Sequence, residues 1–124
     1  MSSENPAPAD FLPLPVATFH TLMALADGDC HGYAIIQDVA LRTGGEITLS
    51  AGTLYRSIQR MLEQGLITET RERPAAELDD ERRRYYRLTD LGTAVAKAET
   101  ARLSKLVRLA RMSGFVPERR DAIL

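Results

Sequence analysis

The chain is poor in the residues that anchor most protein chemistry. Its 124 residues include one cysteine, Cys30, two histidines and no tryptophan. A lone cysteine excludes an internal disulfide framework. Cys30-His31 is a potential metal pair, yet no second Cys/His pair exists to complete a tetrahedral site. His20 lies near an apolar helical stripe and reads as a core or interface residue. No P-loop, dinucleotide fingerprint or nucleophile elbow is present, and Gly44-Gly45 reads as a turn. No catalytic residue, metal or cofactor is therefore assigned, and a small-hydrolase reading has no constellation in its favour. No apolar run approaches the ~20 residues a membrane span requires. The N-terminus lacks the basic patch and apolar core of a signal peptide, which makes a cytoplasmic location the expectation. No internal repeat is visible.

What is present suits one globular domain: 44% of residues are hydrophobic and the length is near the common domain size. The net charge of −1 hides an asymmetry. Residues 1–50 hold six acidic side chains and one basic one, Arg42, whereas residues 51–124 hold fifteen basic and eleven acidic ones. A local basic patch binds phosphates even on a nearly neutral molecule.

The most informative stretch is Ser50 to Leu66, SAGTLYRSIQRMLEQGL. Ser50 is a good N-cap and Gly65 a C-terminal stop. Leu54, Ile58, Met61 and Leu62 recur at helical spacing as one buried stripe. At about 100° per residue, Gly52, Arg56, Gln59, Arg60 and Glu63 gather on the other side, with Thr53 at its edge. Arg and Gln carry donors whose geometry suits base edges in a major groove. A solvated helix face is the bland alternative, but the segment after the helix shifts the balance. A strand, Leu66 to Arg73, crosses a polar gap, Pro74 to Arg82, and returns as Arg83 to Thr89, with Ile67, Tyr86 and Leu88 inward. A helix leading into a hairpin with a basic, projecting tip is the plan of a winged helix.

Upstream, residues 1–14 hold three prolines among small polar residues and read as a flexible N-terminal arm. Pro15 suits a helix start, and Val16, Phe19, Leu22, Met23 and Ala26 share one face of the first helix. A second helix begins near Asp29 to Gly32, with Tyr33, Ile36, Val39 and Ala40 as its apolar side. Ile47 to Leu49 reads as a very short strand joining the wing sheet. Thr89 caps a last helix from about Asp90 to Met112. The fold class is α+β, mostly helical. The expected layout is a winged-helix DNA-binding domain over 15–89, then a dimerisation helix and tail over 90–124.

The segment resembles the PadR family of bacterial transcriptional regulators. The matching residues are His31-Gly32-Tyr33, Ser50 with Gly52-Thr53-Leu54-Tyr55, Glu63 with Gly65-Leu66-Ile67, and Tyr85-Tyr86-Arg87-Leu88-Thr89 with Gly92. Their order and spacing cover about residues 15 to 110. Two departures stand out. The family's usual proline after Gly-Thr-Leu-Tyr is Arg56 here, and the wing tip carries Glu77, Asp79, Asp80 and Glu81. That acidic run lacks the spacing of a calcium loop and reads as a solvated tip. Its charge opposes a phosphate backbone, while Arg82, Arg83 and Arg84 come directly after it.

The resemblance implies dimerisation through the C-terminal and first helices. The sequence agrees, since a helix of about 23 residues is ~34 Å long, more than so small a domain covers. Phe19, Leu91, Val95, Leu103, Leu106, Val107 and Ala110 are the candidate dimer interface. The expectation is a homodimeric, sequence-specific regulator of double-stranded DNA, a repressor. Ser50, Gly52, Thr53 and Tyr55 would fix register on phosphates, and Arg56, Gln59 and Arg60 would meet base edges. Arg83 and Arg84 would hold flanking DNA, and Tyr33 is a further phosphate contact. The alternative is a winged helix that binds protein and not DNA, favoured by the acidic tip. Some PadR-like dimers hold aromatic ligands with tryptophan, which this chain lacks, so a small-molecule effector stays unidentified.

Overall fold

The computed structural model describes residues 6–70 and 84–117. Local capping sets its helix boundaries. The Ser50 hydroxyl accepts the Thr53 amide at 3.1 Å and opens the helix Ala51–Gln64, which ends at the left-handed Gly65 (φ 79°). The Thr89 hydroxyl accepts the Gly92 amide at 2.9 Å and opens Asp90–Met112. His31 caps Gly32–Arg42 through Nδ1, which accepts the Ala34 amide at 3.2 Å. With Val16–Ala24, these helices are α1 (16–24), α2 (32–42), α3 (51–64) and α4 (90–112) in chain order.

The strands β1 (Cys30–His31), β2 (Ile67–Thr70) and β3 (Tyr85–Leu88) form one antiparallel sheet in the order β1-β3-β2. Ile67 faces Leu88 and Thr70 faces Tyr85 across one ladder, while Cys30 faces Tyr86 across the other. The third strand is therefore Cys30–His31. The segment Ile47–Leu49, expected to join the sheet, does not; it is irregular chain that sends Leu49 into the core. With β1 beside it, Tyr85 is buried as well as Tyr86, its ring edge-on to His31 at 5.3 Å.

The core gathers Leu22 and Leu25 from α1 and the turn after it, Ile35 and Val39 from α2, Leu54, Ile58 and Met61 from α3, then Leu66, Ile67, Tyr86 and Val95. Each such side chain contributes about 1.5–3 kcal/mol by leaving water. Four expectations are corrected by this packing. In α1 the buried residues are Thr18, Thr21, Leu22 and Ala24, whereas Val16 and Ala26 are exposed. Thr21 tolerates burial because its hydroxyl donates to the Ala17 carbonyl at 2.8 Å. In α2, Ile35 is buried and Tyr33 is 60% exposed. Residues 6–14 are not a loose arm: Pro8–Phe11 is a 3₁₀ turn lying on α4, and Phe11, Leu12 and Leu14 pack on the core. Val95, assigned to a dimer interface, is 0% exposed within its own chain and has no surface to offer a partner.

Two junctions hold these elements in place. Where α3, β2 and α4 meet, the Thr89 amide donates to the Leu66 carbonyl at 3.1 Å and its hydroxyl to the Gly65 carbonyl at 2.6 Å. Gly92 lies so close to the Leu66 carbonyl that a Cβ there would collide with it. At the other end, the Leu14 amide donates to the Glu99 carboxylate at 3.0 Å, and Arg102 grips both oxygens of that group at 2.6 and 3.0 Å. These bonds satisfy a carboxylate on a residue that is only 2% exposed. Arg102 first, and then the Leu14 amide, hold its pKa below the usual glutamate range against the opposing effect of burial.

Candidate nucleic-acid interface

α3 presents two unlike faces. Leu54, Ile58 and Met61 are at most 2% exposed, while Gly52, Tyr55, Arg56, Gln59, Arg60 and Glu63 face solvent. Ser50 is committed to capping, and its hydroxyl also donates to the Thr53 hydroxyl at 3.1 Å. The Gln59 amide donates to the Glu63 carboxylate at 3.2 Å, one turn along the same exposed face. Tyr55 is 49% exposed and lies across the start of α2: a Cβ added at Gly32 would strike its hydroxyl. Gly32 and Tyr55 are thus one contact, and the glycine supplies the room for it.

Charge pairing separates the arginines. Arg42 bonds Asp27 and Asp38, Arg87 bonds Asp29 at 2.8 Å, Arg102 bonds Glu99, and Arg84 stands 3.9 Å from Glu69. Arg87 is therefore a structural clasp between β3 and the turn before β1, which sequence reasoning did not assign. Arg56 and Arg60 on α3 have no acidic partner among the described residues. The structure brings Ser50, Gly52, Thr53, Tyr55, Arg56, Gln59 and Arg60 onto one helix and its cap. Tyr33 is exposed on α2, and Arg84 sits at the exposed entrance to β3. Arg83, Arg82 and the acidic run Glu77 to Glu81 lie outside the described residues.

Cys30 is half-buried, and burial foremost, then the carboxylates of Asp38 and Asp29, pushes its thiol up in pKa. A thiol so placed stays protonated near neutrality and is a poor nucleophile or ligand. Among the described residues, no three His, Cys, Asp or Glu side chains converge as a metal site. No described helix is long and apolar enough to cross a membrane.

A second surface runs along α4. Leu91 packs on the core and Leu103 and Ala110 are half-buried, but Leu106, Val107, Leu109 and Met112 are 47–78% exposed. A groove of about 450 Å³ between α1 and α4 is lined by Phe19, Met23, Thr100, Leu103, Ser104 and Val107.

These features have counterparts in known proteins. The transcriptional regulator PadR-like family matches residues 21–98. An uncharacterised protein of Lysinibacillus sphaericus is 34% identical over 73 residues, which are 59% of this chain and 64% of that relative. The match thus spans less than two thirds of the relative's length. Among solved structures, a transcriptional regulator from Clostridium thermocellum is similar at a TM-score of 0.67 and 24% identity, over 82% of this chain and 90% of that one. A PadR family transcription regulator from Clostridium difficile gives 0.65 and 24%, over 79% and 97%. Bacillus subtilis PadR, solved in complex with operator DNA, gives 0.56 and 21%, over 68% of this chain and 47% of that one. With the helix, strand and junction positions already described, the match over 21–98 establishes that this chain belongs to the PadR-like family of transcriptional regulators.

Proposed function

We propose that the chain binds operator DNA sequence-specifically as a homodimer and represses transcription in the cytoplasm. One observation carries the reading. α3 spends its apolar side on the core and leaves an outer face of Gly52, Arg56, Gln59 and Arg60, with neither arginine paired to an acid among the described residues. Such a guanidinium is free to take phosphate or a guanine edge without first breaking an ion pair. Bacillus subtilis PadR, a fold relative, is solved on operator DNA, which supports the same use here.

In this reading α3 enters the major groove, and Ser50, Gly52, Thr53 and Tyr55 approach the backbone that borders it. Arg56, Gln59 and Arg60 supply donors toward the bases, and Tyr33 and Arg84 flank them. A two-fold dimer formed along α1 and α4 places two copies of α3 on one face, matching half-sites about 34 Å apart. The operator is accordingly an inverted repeat.

Fluorescence anisotropy with duplexes from upstream of the chain's own coding region is the test. Binding at least ~10³-fold tighter than to scrambled duplex is expected, weakening steeply with salt. Binding to no duplex would replace this reading with that of a protein-binding winged helix, and equal affinity for all duplexes would remove its sequence specificity.

A further inference from the structure

Between the start of α1 and the flank of α3 lies a cleft of about 280 Å³, lined by Pro15, Thr18, Thr53, Arg56, Ser57 and Arg60. Its lining contains two arginines, three hydroxyls and no acid. Neither arginine has an ion-pair partner among the described residues. Thr18 is 4% exposed, yet unlike Thr21 one turn on, its hydroxyl makes no hydrogen bond to any described residue. Among the described residues no buried side-chain oxygen lacks a partner, so this hydroxyl opens onto the cleft, where it meets solvent or can donate to a ligand that displaces it.

The backbone adds to this. α1 begins after Pro15 with no side-chain cap, so its first-turn amides carry the positive end of the helix dipole. The nearby carboxylate of Glu99 is already matched to Arg102 and the Leu14 amide. The guanidinium of Arg56 reaches back along α3 to lie 3.4 Å from where a Cβ of Gly52 would stand. Thr53 accepts a hydrogen bond from Ser50 and keeps its own hydroxyl proton to give.

We propose that this cleft is a phosphoryl-binding site, in which Arg60, the Thr18 hydroxyl and the flank of α3 hold the oxygens of one phosphate group. The proposal rests on the DNA-binding reading only for the source of that phosphate, which is a backbone phosphodiester of the bound duplex. It reassigns Arg60 from reading a base to holding the backbone. The sequence-reading surface of α3 then narrows to Arg56 and Gln59.

Two measurements on the full chain separate the outcomes. In the first, inorganic phosphate replaces chloride at constant ionic strength while amide shifts are followed by NMR. Saturable shifts confined to Thr18, Thr53 and Ser57, lost in Thr18→Val and Arg60→Gln, support the site. In the second, DNA affinity is measured against salt for the same variants. Backbone binding predicts that Arg60→Gln weakens preferred and scrambled duplexes by the same factor. It also lowers the salt slope by about 0.9 per protomer, with Arg60→Lys restoring most of it. Phosphate shifts with an unchanged DNA slope would assign the site to free phosphate. No saturable shift, together with altered preference at one base pair after Arg60→Gln, would overturn the proposal while leaving DNA reading intact. If the wild-type chain binds no duplex, the DNA-binding reading falls and the phosphate titration alone decides the cleft.

Discussion

α3 and the last turns of α4 offer solvent opposite kinds of surface. α3 keeps Leu54, Ile58 and Met61 inside and shows arginine, glutamine and glycine. α4 does the same only as far as Val95 and Glu99. Beyond Leu103 its domain ends, and Leu106, Val107, Leu109 and Met112 stand in water. The contrast arises from support. A helix flanked by α1 and α2 has somewhere to put its apolar residues; one that overshoots its domain does not. A surface of the first kind suits a hydrated, anionic groove, and one of the second suits another apolar helix.

That comparison is open to direct attack. Leu54→Ala should cost about 3–5 kcal/mol, since a fully buried leucine leaves a cavity the packed helices cannot close. Denaturant unfolding measures it, and a cost below ~1 kcal/mol would show α3 to be poorly seated. Leu106→Asp combined with Val107→Asp should barely change circular dichroism, because both residues are outside the core. The pair should halve the mass seen by light scattering and weaken binding to paired half-sites by ~100-fold or more, as linkage between them is lost. A dimer that survives both aspartates would place the interface elsewhere. Gln59→Ala should cost about 1–3 kcal/mol per half-site and relax preference at one base pair, with folding stability unchanged. Binding-site selection with randomised duplexes reads that preference.

The smallest effect is a pH dependence midway along α4. Glu99 titrates below its ordinary value, so its contribution to stability is complete above the unfolded pKa of about 4.3 and is lost as pH falls through the depressed folded value. Glu99→Gln should therefore melt at a lower temperature than wild type at neutral pH, and the gap should close in acid, below the ordinary glutamate range. A gap of constant size would mean that the carboxylate charge contributes nothing there.

The elements with local chemical signals were legible in the sequence. Ser50, Gly65 and Thr89 act within a single turn, and the structure places all three at helix ends. What escaped depends on contacts between distant residues. β1 is two residues long, too short to show alternation, and exists because Tyr85 and Tyr86 offer a ladder to it. Ile47 and Leu49 alternate like a strand but pack on the core from an irregular segment. Residues 6–14 are held by the packing of Phe11, Leu12 and Leu14 on the core and by a bond from the Leu14 amide to Glu99, 85 positions away, and no periodicity reports such long-range contacts. Glu99 itself reads as a solvent residue, because burial of a carboxylate depends on its partners rather than its type. The solvent side of α3 was legible except for Tyr55, which helical spacing did not place there although it is 49% exposed over Gly32, whereas the cleft beside it required knowing that α1 begins there.

The contact between Tyr55 and Gly32 has a consequence for how recognition can change. A helix lying in a groove is free to roll, and one residue's worth of roll turns its outer side by about 100°. Here Leu54, Ile58 and Met61 anchor one side of α3 in the core, and the phenol of Tyr55 lies against the glycine that opens α2, so both oppose that motion. Under the DNA-binding proposal, the direction in which α3 faces is thereby separated from the letters it would read. In the proposed reading, substitutions at 56 and 59 can retune the preferred sequence while the angle of approach stays the same. A side chain at position 32 would push on Tyr55 and rotate the whole surface at once.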